Sequence, residues 1–146
     1  MTEFSQAYLK QALWSSTDGY VCRSFDVSLE SMGNDLAPET RERMEADCVK
    51  FEAENSADLR AITPEWRAFG SELRRGWWPW RSARSQWGRA FWLTRNGIPA
   101  SDAWEDDTPV WWCMSYEWPG NRLTEACKAY GEYTLYIGDD GLIYGA

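Results

Sequence analysis

Between Trp66 and Arg95, six tryptophans are interleaved with seven arginines, and Glu72 is the one acidic residue among them. A tryptophan side chain is too large and too apolar to be spread through water at this density without consequence, so the stretch must either fill a core or present a sticky surface. Gly70, Gly76 and Pro79 interrupt it, so a single regular element through its whole length is not expected. Three readings stand. The first is core packing, with arginines stacked on aromatic rings inside the fold. The second is a protein interface, where the same residue types are enriched. The third is a surface for single-stranded nucleic acid, with arginines on phosphates and tryptophans on bases. The residues that would carry either binding reading are Arg74, Arg75, Trp77, Trp78, Trp80, Arg81 and Arg84.

Charge weighs against the third reading. The chain carries a net charge of −8, which repels a polyanion at long range. The acid is concentrated: from Asp35 to Asp58 eight acidic residues face three basic ones, a local net charge of −5. Glu39, Glu42, Glu45 and Glu52 lie in this segment, and Glu105, Asp106 and Asp107 form a second acidic run. Such faces keep a protein soluble. Alternatively, ordered carboxylates imitate the phosphates of nucleic acid and occupy a basic groove on another protein, with electrostatic steering to speed association.

The chain has no histidine, which removes the usual general base, the commonest imidazole ligand and any Ser-His or Cys-His pair. The expectation is a binding protein, not an enzyme, with no metal and no cofactor. Asp139-Asp140-Gly141 suggests a hard cation at first sight, but between two alternating strands it reads as turn chemistry. Cys22, Cys48, Cys113 and Cys127 are too widely spaced for a zinc knuckle or a redox pair. They read as small buried hydrophobes, free thiols in a cytoplasm, though an even count would also allow two disulfides. The opening Met1-Thr2-Glu3-Phe4 lacks the basic lead and apolar stretch of a signal peptide, which points to the cytoplasm. No apolar run approaches the roughly 20 residues that span a bilayer, so no membrane contact is expected.

At 146 residues one domain is expected over 1–146. Phe4, Tyr8 and Ala12 predict a helix over 3–14, ended by Ser15-Ser16-Thr17-Asp18-Gly19. Pro38 opens a second helix whose core stripe is Thr40, Met44, Cys48 and Phe51, with Glu39–Arg43 and Arg43–Asp47 as spaced ion pairs. A short helix from Pro64, a strand over Ala90–Thr94 ended by Arg95-Asn96-Gly97, and a strand over Val110–Met114 follow. Asn121 is read as the N-cap of a third main helix that ends at Gly131. The chain closes in a hairpin from Tyr133 to Tyr144 around Gly138-Asp139-Asp140-Gly141. The fold class is α+β: an antiparallel sheet with three or so helices packed mainly on one face, and a C-terminal β-hairpin.

Ala7-Tyr8-Leu9 with Ala12-Leu13-Trp14-Ser15-Ser16-Thr17-Asp18, Leu36-Ala37-Pro38-Glu39-Thr40, Asp47-Cys48 with Phe51, Phe91-Trp92-Leu93-Thr94-Arg95-Asn96-Gly97, Leu123-Thr124-Glu125-Ala126 and Tyr136-Ile137-Gly138-Asp139-Asp140-Gly141 occur in this order. In these motifs the chain resembles a family of small uncharacterised proteins of bacteriophages and prophages, from its first helix to its last hairpin. After Asn96-Gly97 such relatives carry a His-Gly segment, then Gly-Phe-Trp and an acidic residue, where this chain has Ile98-Pro99-Ala100-Ser101-Asp102-Ala103-Trp104. The Arg/Trp-rich stretch over 66–90 looks expanded by comparison, like an insertion into a common scaffold. The resemblance brings no activity with it, but it implies a phage accessory protein. Such proteins act by stoichiometric binding, as anti-CRISPR and anti-restriction inhibitors do. The implied partner is a host protein or complex, such as a CRISPR effector or another defence nuclease. A nucleic-acid-binding accessory role is the alternative, and exposed tryptophans would also suit a homodimer.

Overall fold

The computed structural model describes residues 1–17, 20–21, 29–62, 83–98 and 118–146. Helix α1 spans Glu3–Trp14, as its spacing predicts. The Thr2 hydroxyl caps it by accepting from the Ser5 N–H at 3.1 Å, which satisfies one of the four amides a helix start leaves open. Phe4, Tyr8 and Ala12 are fully buried. After α1 come a minimal antiparallel pair, β1 (Ser16–Thr17) with β2 (Tyr20–Val21), and a single helical turn, α2 (Leu29–Met32).

Helix α3 spans Pro38–Glu54 with the proline in its first turn. Its predicted stripe, Thr40, Met44, Cys48 and Phe51, is buried. Burying each of the larger apolar side chains stabilises the fold by about 1.5–3 kcal/mol. The chain is helical again over 56–62, which carries Leu59 and Ile62 into the same core.

Helix α4 spans Ala83–Arg95, and here the expected strand over Ala90–Thr94 is corrected to helix. All five residues of that segment are buried, and so is Arg95. Continuous burial leaves neither a two-residue nor a 3.6-residue period in the sequence. Asn96-Gly97 does end the element, but as a helix terminus: Gly97 has φ 69° and its N–H donates to Thr94 O at 3.1 Å. The largest helix–helix contact is that of α4 with α1. Gly88 makes the close approach possible, because a Cβ at that position would overlap the Phe4 carbonyl.

Helix α5 spans Trp118–Ala129 and starts before Asn121, which is an exposed residue within the helix and not its cap. Pro119 lies in its first turn, the same logic as Pro38 in α3. Strands β3 (Leu135–Ile137) and β4 (Ile143–Gly145) pair antiparallel across the predicted turn, where Gly138 N–H donates to Leu142 O at 2.8 Å and Gly141 has φ 81°. Residues 35–37 run alongside β4. Ile143 N–H donates to Asp35 O at 2.8 Å, and Ala37 N–H donates to Ile143 O at 2.9 Å.

The architecture is α+β, with two corrections. Five helices have both ends within the described residues, besides the helical stretch over 56–62, where three or so were expected. Among the described residues the strands form two separate pairs and not one sheet, and the helices there bury their apolar faces mainly on one another. The centre is aromatic: the Phe51 and Phe91 rings stack at 4.2 Å and 11°, and Tyr8 meets Trp92 edge-on at 5.4 Å. Trp92 Nε1 donates to the Ser15 hydroxyl at 2.8 Å, and that hydroxyl donates to Gln11 O at 2.7 Å. Core packing is thus the role of Trp92, while Trp87 is half-buried against the core. No helix among the described residues is long and apolar enough to cross a membrane.

Candidate functional site

Polar groups gather in two places: the outer face of α3, which sequence reading singles out, and the junction at the end of α4, which it does not. On α3 the buried stripe faces inward, so Glu39 and Glu42 are exposed and Glu45 is half-buried at its flank. The three recur at three-residue steps, so they spread over neighbouring turns of one side of the helix. Among the described residues none of the three makes a salt bridge. Val49, 59% exposed, lies on the same side. Arg43 does not pair with Glu39 or Asp47 as expected; its guanidinium stands 5.9 Å from the centre of the Tyr133 ring. Asp47 is taken by Arg95 instead.

Glu52 differs from its helix neighbours because it is held from outside. Arg84 of α4 grips it with two hydrogen bonds, Nε to Oε2 at 2.9 Å and Nη2 to Oε1 at 3.1 Å. That contact raises the Arg84 pKa above the ordinary arginine value. The pair takes both residues out of the set of groups free to meet a partner. Of the predicted binding residues, the structure therefore brings Glu52 and Arg84 onto each other and leaves Glu39, Glu42 and Glu45 facing outward. Glu105, Asp106, Asp107, Arg74, Arg75, Trp77, Trp78, Trp80 and Arg81 lie outside the described residues, as do the segments read as a helix from Pro64 and a strand over Val110–Met114.

Arg95 is the polar centre that sequence reading did not single out. Its side chain is 3% exposed, and its four hydrogen bonds reach three other segments of the chain. Nη1 donates to the Tyr8 hydroxyl at 2.8 Å and to Asp47 Oδ2 at 3.0 Å; Nε donates to Gly131 O at 2.9 Å, and Nη2 to Tyr130 O at 3.0 Å. The Phe91, Tyr130 and Tyr133 rings surround the guanidinium at 5.6, 5.6 and 5.2 Å. Burial alone would lower its pKa, but the Tyr8 and Asp47 oxygens outweigh that and hold it above the ordinary value. Burial raises Tyr8 strongly and pushes Tyr130 up to about 12. Four of the five guanidinium N–H donors are engaged and three rings surround it, so the junction ties α4 to α1, α3 and residues 130–131.

Cys48 and Cys127 are free, buried thiols, as expected; Cys22 and Cys113 lie outside the described residues. Burial raises the Cys48 thiol, which suits packing and not nucleophilic attack. Asp140, in the turn that first suggests a cation, spends its carboxylate on the hairpin: Oδ1 accepts from Leu142 N–H at 3.0 Å and Oδ2 from the Tyr144 hydroxyl at 2.6 Å. Among the described residues no group of three or more potential ligands is placed to hold a metal. Compared with protein-family models, curated proteins and solved structures, the chain matches none.

Proposed function

We infer that this chain works by stoichiometric binding and not by catalysis, and that α3 presents the contact. The observation that carries this reading is the outward row of Glu39, Glu42 and Glu45, none with an ion-pair partner among the described residues, on a helix rigidly seated by its buried stripe. Unpaired carboxylates fixed on a rigid element suit a basic groove, because little ordering entropy is lost on docking and the field steers the encounter. Basic grooves of this kind belong to proteins that handle nucleic acid. With the motif resemblance, the reading becomes a phage or prophage accessory protein in the bacterial cytoplasm that inhibits a host defence complex of the CRISPR or restriction class.

The test is capture from host lysate with tagged protein, followed by nuclease assay of what is captured. A defence nuclease that survives nuclease treatment of the lysate, and whose DNA cleavage falls to zero at one equivalent of added protein, is the expected result. Glu39→Lys, Glu42→Lys and Glu45→Lys together should abolish both. Capture that vanishes with nuclease, or that persists with the three lysines in place, would sink the reading; the first outcome would transfer the function to nucleic-acid binding by Arg74, Arg75, Arg81 and Arg84 with their tryptophans.

A further inference from the structure

The C-terminal hairpin carries an aromatic surface that the core does not use. Tyr136 and Tyr144 are direct partners in the β3–β4 register, while their neighbours Leu135 and Ile143 are fully buried. Alternation along a strand therefore turns both tyrosines to the outer face. Their rings lie 6.0 Å apart at 26°, and Tyr136 is 40% exposed. Cross-strand aromatic pairs stabilise hairpins, and that accounts for their being paired. It does not account for how one is fixed. The Tyr144 hydroxyl donates to Asp140 at 2.6 Å, and its ring lies so close over Gly138 that a Cβ there would come within 2.6 Å of it.

The surroundings are acidic. Asp139 and Asp140 are exposed on the adjoining turn, and Glu39 is exposed at the start of α3, just after residues 35–37, which run hydrogen-bonded alongside β4. Two guanidiniums of this chain already stand over the hairpin's neighbouring aromatic residue, Tyr133: Arg95 at 5.2 Å and Arg43 at 5.9 Å. Among the described residues no cation stands over Tyr136 or Tyr144. A planar cation flanked by carboxylates is the occupant this combination favours, because a guanidinium stacks on a ring face and bonds a carboxylate at its edge at the same time. Nucleobases would also stack on tyrosine, but their phosphates would meet Asp139, Asp140 and Glu39.

We propose that the Tyr136–Tyr144 face, edged by Asp139, Asp140 and Glu39, is a docking surface for an arginine side chain of a basic partner protein. The proposal deepens the binding reading above and rests on it for the existence of such a partner. It adds a second, aromatic contact next to the first turn of the acidic helix.

The probe is an arginine–glycine repeat peptide titrated into 15N-labelled full-length protein, with a lysine–glycine peptide of equal charge as control. Amide shifts at 136–144 with the arginine peptide, and binding several-fold weaker with lysine, are expected. Tyr136→Thr, which keeps a strand-forming residue, should weaken arginine-peptide binding about two- to fivefold, the range of an exposed cation–π contact. Asp139→Asn, at the exposed neighbour of Asp140, should weaken it as well while leaving the Asp140–Tyr144 hydrogen bond in place. Shifts confined to Glu39–Glu52 of α3 would overturn the platform and leave the acidic-helix reading in place. Equal binding of the two peptides would overturn it too, as would hairpin shifts produced by single-stranded oligothymidine. Loss of host-nuclease capture with the peptide result intact would overturn only the inhibitor reading.

Discussion

Arginine meets carboxylate in two kinds of place in this molecule. At the junction, Arg95 joins Asp47 with its side chain 3% exposed; at the periphery, Arg84 joins Glu52 and Arg122 joins Asp58 with arginine side chains 45% and 54% exposed. The distances alone would rank the periphery higher, since Arg122 Nη2 reaches Asp58 Oδ1 at 2.6 Å against 3.0 Å for Arg95 to Asp47. Burial reverses the ranking. A charge already taken out of water depends wholly on its partners, whereas an exposed pair exchanges one hydrated state for another.

The comparison breaks most visibly at Arg95. Arg95→Ala removes hydrogen bonds to Tyr8, Asp47, Tyr130 and Gly131, and should cost about 3–5 kcal/mol in chemical denaturation, the range for breaking a buried charged network. Arg95→Lys should recover only a minor part, because an ammonium cannot reproduce the fork. If the alanine variant lost less than 1 kcal/mol, the junction would belong with the surface pairs.

Alkaline titration should separate the two regions next. Tyr8 has its pKa raised by burial, so its neutral form is bound up with the folded state. Stability is then fully present below the ordinary tyrosine value of 10.0 and falls as pH rises beyond it, by about 1.4 kcal/mol per pH unit for one such group. Between pH 10 and 12 the loss from Tyr8 should be about 2–3 kcal/mol, read as a falling denaturation midpoint. Tyr8→Phe should flatten that slope, and an unchanged slope would remove Tyr8 from the account.

Gly88→Ala tests how tightly the interior is built. Helix propensity favours alanine by about 1 kcal/mol, but the added methyl overlaps the Phe4 carbonyl, so a net loss of about 1–3 kcal/mol is expected from thermal unfolding. A gain would show that α1 and α4 shift apart freely. The smallest effect belongs to the periphery: Glu52→Gln should cost about 0.2–1 kcal/mol, and less in high salt. A salt-independent loss above 2 kcal/mol would place Glu52 with the junction.

Much of the framework was legible because its signals are local. The α1 and α3 stripes, Pro38, Gly131 and the Gly138–Gly141 turn are each read from residues within a turn or two of one another. The segment Ala90–Thr94 failed for a physical reason: a helix buried all round shows no polar face, and its aromatic and β-branched residues imitate a strand. Asn121 failed because a capping residue type does not choose its own helix start when Pro119 upstream already offers one. On α3, periodicity placed Glu39, Glu42 and Glu45 outside, but nothing local set Glu52 apart. Its partner Arg84 is 32 residues away in the chain. Arg95 was hidden in the same manner, as one cation among seven, since Tyr8 lies 87 residues off and Asp47 lies 48.

That remoteness has a kinetic side. Helical proteins usually fold fast because most of their contacts are made within a few turns, yet here α1 must find α4, and Asn34 must find the carbonyl of Gly141 across 107 residues. Closing loops of this length costs chain entropy before any contact repays it. Arg95 can dock only after three other segments, α1, α3 and residues 130–131, have arrived. The junction should therefore form late, so that removing it leaves the folding rate nearly unchanged and quickens unfolding; in this protein the buried arginine acts as a latch on the finished structure.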